Sequence, residues 1–214
     1  MLTLAQAAPL VRLRAAAMLE AVPVGTGAMA AILGLDATKV IAGCAEVTGA
    51  MAQNGTEVVE AVNFNDPAQT VIAGTKAAVE KACEVLKAAG AKRALPLPVS
   101  APFHSSLMKP AAEKLRVALA ATALATPQIP VLNNIDVAVQ QDADAIRDAL
   151  YRQAFGPVRW VECVQALKGR GISHIIECGP GKVLAGLVKR IDAELVGAAL
   201  YDMNTLTATK ELLA

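Results

Sequence analysis

Apolar positions along residues 4–19, among them Leu4, Ala7, Val11 and Met18, recur at helical spacing, and Thr3 stands where an N-cap hydroxyl belongs. Pro9 falls inside that pattern and marks either a kink or a later start. The period then changes. TGAMAAIL, residues 26–33, reads as a strand, and Asp36 as the cap of a helix running to about Gly49. TEVVEAVNF, residues 56–64, predicts a strand, NDPAQ a turn and TVIAG another strand. Thr75 opens the helix TKAAVEKACEVLKAAG, which ends at Gly90, and KRALPLPV is a last extended run. Residues 26–98 therefore predict β-α-β-β-α-β, the ferredoxin-like order.

Beyond residue 98 the alternation lengthens. A helix is expected over 110–124, a strand at IPVLNN, and helices near 142–153 and 158–169. The strand SHIIEC runs into GPGK and the helix VLAGLVKRI, with a final strand near 195–200. Strands alternating with helices imply a parallel sheet. The expected fold class is thus α/β, with a subdomain over 23–98 inserted into a body made of 1–22 and 99–214. That body has only two or three candidate strands. A parallel sheet is normally built from several strands and covered on both faces, so further strands are expected before Met1, and apolar faces of the body are expected to lie open.

Composition narrows the function classes. The chain has 214 residues, enough for a substantial core, and 55% of them are hydrophobic, much of this alanine; aromatics are only 3%. Charged residues interrupt every apolar run before membrane-spanning length, so no membrane association is expected. A net charge of +1 without a basic, aromatic-rich face argues against nucleic acid. Cys44, Cys83, Cys163 and Cys178 form no C-x-x-C pair, which argues against zinc and a disulfide framework and fits a reducing cytoplasm. The arginines follow the first apolar residues rather than preceding them, the reverse of a secretion signal.

Few residues then remain as candidates for chemistry. His104, in SAPFHSSLM, sits on a loop after an extended run and suits a general base or, equally, a satisfied structural histidine; adjacency to Ser105 and Ser106 supplies no catalytic geometry. No G-x-S-x-G elbow occurs in the chain. Arg12 and Arg14, two apart on a helix, face different ways, so one can turn inward to grip a carboxylate; two solvated arginines are the plainer alternative. GPGK lacks the residues of a phosphate loop and fits a tight strand-to-helix turn better than a ligand loop. Cys163 and Cys178 read as inert buried thiols and His174 as structural.

Six stretches taken in order resemble one family: VRLRAAAMLEAVPVGTGAMAAILGL, NFNDPAQTVIAG, AKRALPLPVSAPFHSSLMKPAAEKL, the NN of VLNNIDV, IRDALYRQAFGPVRWVE and ECGPGKVLAGLVKRI. They are similar to the malonyl-CoA:acyl-carrier-protein transacylases of bacterial fatty-acid synthesis, over essentially the whole chain. The resemblance implies an α/β-hydrolase-like acyltransferase body carrying the ferredoxin-like insertion. It makes His104 the catalytic base, Gln153 the residue whose main-chain carbonyl orients the imidazole, and Arg14 the partner of the malonyl carboxylate. It sets Asn65 and Gln69 near the substrate and makes Phe103 the residue that disfavours an α-methyl branch.

The same resemblance implies malonyl-CoA as substrate, acyl carrier protein as partner, and neither metal nor organic cofactor. The family's nucleophilic serine stands in a GHSLGE motif, and a GQGSQ motif contributes to its oxyanion hole; these 214 residues contain neither. The chain therefore looks like the C-terminal two-thirds of the enzyme. Alone it is expected to be inactive or nearly so, to act as a binding module, or to need an N-terminal segment in trans.

Overall fold

The computed structural model describes residues 2–52 and 57–214. Met1, and Thr56 at the head of the expected second strand, lie outside them. Two compact units form, Met1–Arg159 and Trp160–Ala214.

The first unit opens with α1 (Leu4–Glu20). A reciprocal capping box between Thr3 and Gln6 fixes its start, so Pro9 lies within the helix and does not delay it. There follow β1 (Gly27–Leu33), α2 (Ala37–Met51), β2 (Val59–Asp66), β3 (Gln69–Thr75), α3 (Lys76–Ala88) and β4 (Arg93–Pro96). The strands form one antiparallel sheet in the order β2-β3-β1-β4. Asp36 caps α2 through the Thr38 amide, and Gly90, at φ 106°, closes α3. The expected NDPAQ turn is shorter than foreseen, because the Asp66 carboxylate accepts the Ala68 N–H at 2.8 Å and both strands run up to it.

Alternation explains why these strands are apolar on both sides. Ala30, Ile32, Val59 and Ile72 face a core shared with Val40, Cys44, Val79 and Leu86 of α2 and α3. Their neighbours Met29, Ala31, Val71 and Ala73 join Val62 on a second cluster, against which Leu97 and Phe103 pack. Gly74 is required by close approach, since a Cβ there would lie 1.9 Å from the Val58 carbonyl oxygen.

After the loop bearing residues 97–105 come a single 3-10 turn (Ser106–Met108) and α4 (Lys109–Ala120). The helix stops short of the expected residue 124. Beyond the backbone bond from Thr122 N–H to Leu119 O, a guanidinium secures this end: Arg147 donates from Nε to Leu119 O at 3.0 Å, in the last turn, and from Nη2 to Thr122 O at 2.9 Å, just past it. The expected strand IPVLNN shrinks to β5 (Leu132–Asn133), paired with β6 (Ala138–Val139), because Asn133 spends its side chain on the turn between them. Then comes α5 (Ala143–Gln153), capped by Asp142. Met18 of α1, Leu115 of α4 and Ala154 after α5 share one core, with Phe103 against it. Val158, placed in a helix by its sequence, instead bridges β2, donating to Val62 O at 2.8 Å and accepting from Phe64 N at 2.9 Å.

The second unit holds α6 (Trp160–Gly169), β7 (His174–Cys178), α7 (Val183–Ile191), β8 (Val196–Leu200) and α8 (Met203–Leu212). As alternation implied, β7 and β8 pair in parallel. No expectation covered α8, although Asp202 and Thr205 form a capping box at its start. Among the described residues no helix is long and apolar enough to cross a membrane. Apolar side chains do lie open on α1, with Leu4 84% and Val11 66% exposed.

Candidate active site

A cleft of about 570 Å³ in the first unit brings Arg14 of α1 together with Asn65 of β2, Phe103 and His104. Asn63, Met29, Val71 and Leu97 are among the other residues of its wall. Met29, Val71 and Leu97 belong to the second sheet cluster, so the cleft is the open side of that apolar face.

The histidine loop is held from several sides. Leu97 N donates to Met29 O at 2.9 Å, and Ser106 N donates to the Glu60 carboxylate at 2.6 Å. Pro102 is seated where a Cβ on Gly27 would come within 2.4 Å of its Cδ. His104 itself has φ 64°. Consecutive residues of an extended chain point to opposite sides; the left-handed step lets Phe103 and His104 line the same cleft, a strain typical of functional loops. Neither serine neighbour is poised for attack. Ser105 is buried with its hydroxyl donated to Pro102 O at 2.7 Å, and Ser106 is exposed.

Gln153, the last residue of α5, links the two charged candidates. A guanidinium can only donate, so the amide oxygen must face Arg14, and Arg14 Nη2 donates to Gln153 Oε1 at 3.1 Å. The amide nitrogen then lies 3.2 Å from His104 Nδ1, and the Gln153 main-chain oxygen lies 3.3 Å from the same atom. Helix-end carbonyls lack intrahelical partners, which leaves this one available. Nδ1 can serve only one of the two: with its proton there the ring donates to the carbonyl, the amide nitrogen makes no hydrogen bond to it, and Nε2 is left bare, the form a general base needs.

Burial holds the His104 pKa below its usual 6.5, with the Arg14 charge adding to this and the Gln153 and Gly156 carbonyls opposing it. The ring is therefore neutral near pH 7. A depressed folded-state pKa contributes stability that is present above 6.5 and lost as pH falls through the folded-state value. His104 should titrate below 6.5 by NMR, and His104→Asn should flatten the loss of urea stability on acidification; titration at or above 6.5 would overturn this.

Arg14 is half-buried, which lowers its pKa without neutralising it, whereas Arg12 is exposed. Its hydrogen bond is to a neutral amide, and burial alone shifts its titration. Among the described residues no carboxylate is hydrogen-bonded to it, and a partly desolvated cation of this kind can receive an anionic group.

Gln69 stands apart from this grouping, at the head of β3 opposite Leu33 and Asp66, and is not among the residues lining the cleft. Asn63 was missed. It lies two residues before Asn65 on one strand, and that spacing was the available signal. Cys163 is buried as expected, but Cys178, at the end of β7 where the chain turns into Gly179, is exposed. His174 opens β7 with Nδ1 2.8 Å from Ser173 Oγ. At GPGK the Glu177 carboxylate accepts the Ala185 N–H at 2.8 Å, so a side chain of the protein already occupies the start of α7. Among the described residues no group of three or more His, Cys, Asp or Glu side chains is placed to hold a metal.

An arginine and a histidine bridged by one glutamine in an apolar cleft of an α/β chain are what the structure offers for chemistry, and the comparisons say which family such a chain belongs to. The family model described as acyl transferase domain matches residues 1–197, and the chain belongs to that family. It is 52% identical over 208 residues to the malonyl CoA-acyl carrier protein transacylase of Escherichia coli (strain K12), covering 97% of this chain and 65% of that protein. Among solved structures it is similar to an acyl-carrier-protein S-malonyltransferase from Burkholderia pseudomallei 1710b, with 64% identity and a TM-score of 0.89 over 95% of this chain and 64% of that one. A malonyl-transacylase solved in complex with its type II PKS acyl-carrier protein matches at 51% identity and a TM-score of 0.92, over 97% of this chain and 65% of that one. The chain thus spans about 65% of the length of the curated relatives it matches.

Proposed function

We propose that this chain carries the malonyl-recognising and proton-transferring part of a malonyl-CoA:acyl-carrier-protein transacylase. The observation that supports it is the half-buried Arg14, hydrogen-bonded to a neutral amide and sharing its cleft with His104. The malonyl carboxylate would sit on Arg14, and Phe103 would stand against an α-methyl branch. In this reading Asn65 lines the acyl path, and Gln69 acts at most from outside it. His104, held through Gln153, takes the proton of a serine hydroxyl as it attacks the thioester and returns it to the departing CoA sulfur. It later takes the proton of the carrier-protein thiol that collects the malonyl group and returns it to the released serine oxygen. Malonyl-CoA enters as substrate, and the chemistry calls for no metal or organic cofactor. Cytoplasmic fatty-acid synthesis is the setting, with the acyl carrier protein as partner.

In architecture the reading is an α/β-hydrolase-like body, residues 1–22 and 99–214, with a ferredoxin-like subdomain at 23–98. The antiparallel order β2-β3-β1-β4 supports the second part.

The 214 residues contain no GHSLGE serine, so the hydroxyl served by His104 comes from outside them. By itself this polypeptide should form no malonyl-enzyme. Intact-mass measurement after incubation with malonyl-CoA should return the unmodified mass, and a stable malonyl adduct would show that these residues supply a nucleophile of their own. A non-catalytic malonyl or carrier-protein binding module would rest on the same arginine. Adding a second polypeptide that bears the serine segment separates the two: restored transfer supports the transacylase as a split enzyme, and unaltered binding without transfer supports the module.

A further inference from the structure

The paired asparagines of VLNNIDV belong to a turn that the reading above leaves without a role. Asn133 builds it: its Oδ1 accepts the Asp136 N–H at 2.8 Å, its main-chain oxygen accepts the Val137 N–H at 3.1 Å, and its Nδ2 donates to Ala138 O at 2.9 Å. Val137 completes it at φ 57°, a left-handed conformation that β-branched residues seldom adopt. Such strain persists only where the surroundings over-determine it.

The surroundings are the segment that faces His104. Asp136 grips Arg152 with both oxygens, accepting from Nη1 at 2.6 Å and from Nη2 at 2.9 Å, a planar fork that fixes direction as well as distance. Ile135 lies so close to Gly156 that a Cβ there would be 2.5 Å from its Cδ1 and 2.9 Å from the Arg152 oxygen. Asn134 O accepts the Arg159 N–H at 3.1 Å. The turn therefore meets residues 152, 156 and 159, and between the first two runs the backbone that presents carbonyls to the imidazole.

We propose that the turn at residues 133–137 is a positioning element for the histidine, in which Asp136, by clamping Arg152, holds the Gln153 carbonyl against Nδ1 and so sets the tautomer and direction of the His104 ring. Asp136 touches neither the ring nor the cleft; it acts through Arg152. The second carboxylate on that guanidinium, Asp148, binds Nε alone and is 58% exposed, so it secures the charge without fixing the plane. The inference rests on His104 serving as the base, yet its test needs no substrate.

The chain has two histidines, so ring ¹⁵N spectra at neutral pH contain two imidazoles, and His174, in the second unit, is an internal reference. In the parent His104 should show a protonated-type Nδ1 and a bare Nε2. Asp136→Asn should move both nitrogens toward the averaged values of a mixed tautomer while His174 stays in place. Asp136→Glu should restore the parent pattern at least in part. Asp144→Asn, which breaks the Arg147 pair on the same helix, should change neither ring.

Should Asp136→Asn not fold, Arg152→Lys keeps the cation and loses the fork, and should give the same mixed tautomer. Parent-like His104 signals in a folded Asp136→Asn or Arg152→Lys protein would overturn the proposal, as would an equal change in Asp144→Asn. Loss of malonyl-CoA binding in the parent would refute the functional reading and leave this one standing.

Discussion

Gly74→Ala should be the most damaging single-methyl change in the first unit. Gly74 lies in β3 opposite Val59, and a Cβ there would meet Val58 O at 1.9 Å and Val59 Cα at 2.7 Å. Both obstacles are backbone, so no rotamer change relieves the overlap, and the strands must part. Overpacking of this kind costs about 3 kcal/mol, or roughly 10 °C in melting temperature for a chain of this size. Gly49→Ala is the matched control. Gly49 lies in α2 with nothing within 4 Å of its virtual Cβ, and the exchange should stabilise by roughly 0.5–1 kcal/mol through helix propensity. Urea and thermal melts of the pair decide the matter; equal midpoints would mean that β2 yields at no cost.

The second large effect is on binding. In the malonyl reading Arg14→Ala removes the cation that receives the substrate carboxylate and leaves Gln153 Oε1 without its donor. A charge-assisted hydrogen bond in a partly desolvated site contributes about 1.5–3 kcal/mol, which weakens malonyl-CoA roughly 10- to 100-fold. Acetyl-CoA lacks the carboxylate and should bind the parent and the variant alike. Arg14→Lys should recover only part of the affinity, because an ammonium cannot present the two-pronged fork. Calorimetric titration of each protein with each thioester reads all six combinations. Equal malonyl-CoA affinities for parent and Arg14→Ala would move the carboxylate elsewhere.

The β-α-β-β-α-β order was legible because each element has its own punctuation: Asp36 before α2, Thr75 before α3 and Gly90 after it. What could not be read depends on side chains reaching across from distant elements. The end of α4 is set by Arg147, 28 residues from the carbonyl it takes, and the displacement of Val158 into a bridge depends on the edge of β2. In the site, Arg14, Asn65, Phe103 and His104 converge on one cleft, and Gln153 joins Arg14 to His104 across 139 and 49 residues of chain. No local spacing encodes those separations; the resemblance to a family did. Asn63 shows the converse, a residue that simple alternation along β2 would have found.

Phe103 belongs to two cores at once, packing against the Met18–Leu115 cluster on one side and the Met29–Val71 face of the sheet on the other. Its ring is both a wall of the cleft and a rivet between those layers. In the malonyl reading, breadth of acyl choice and thermal robustness are therefore traded at a single position.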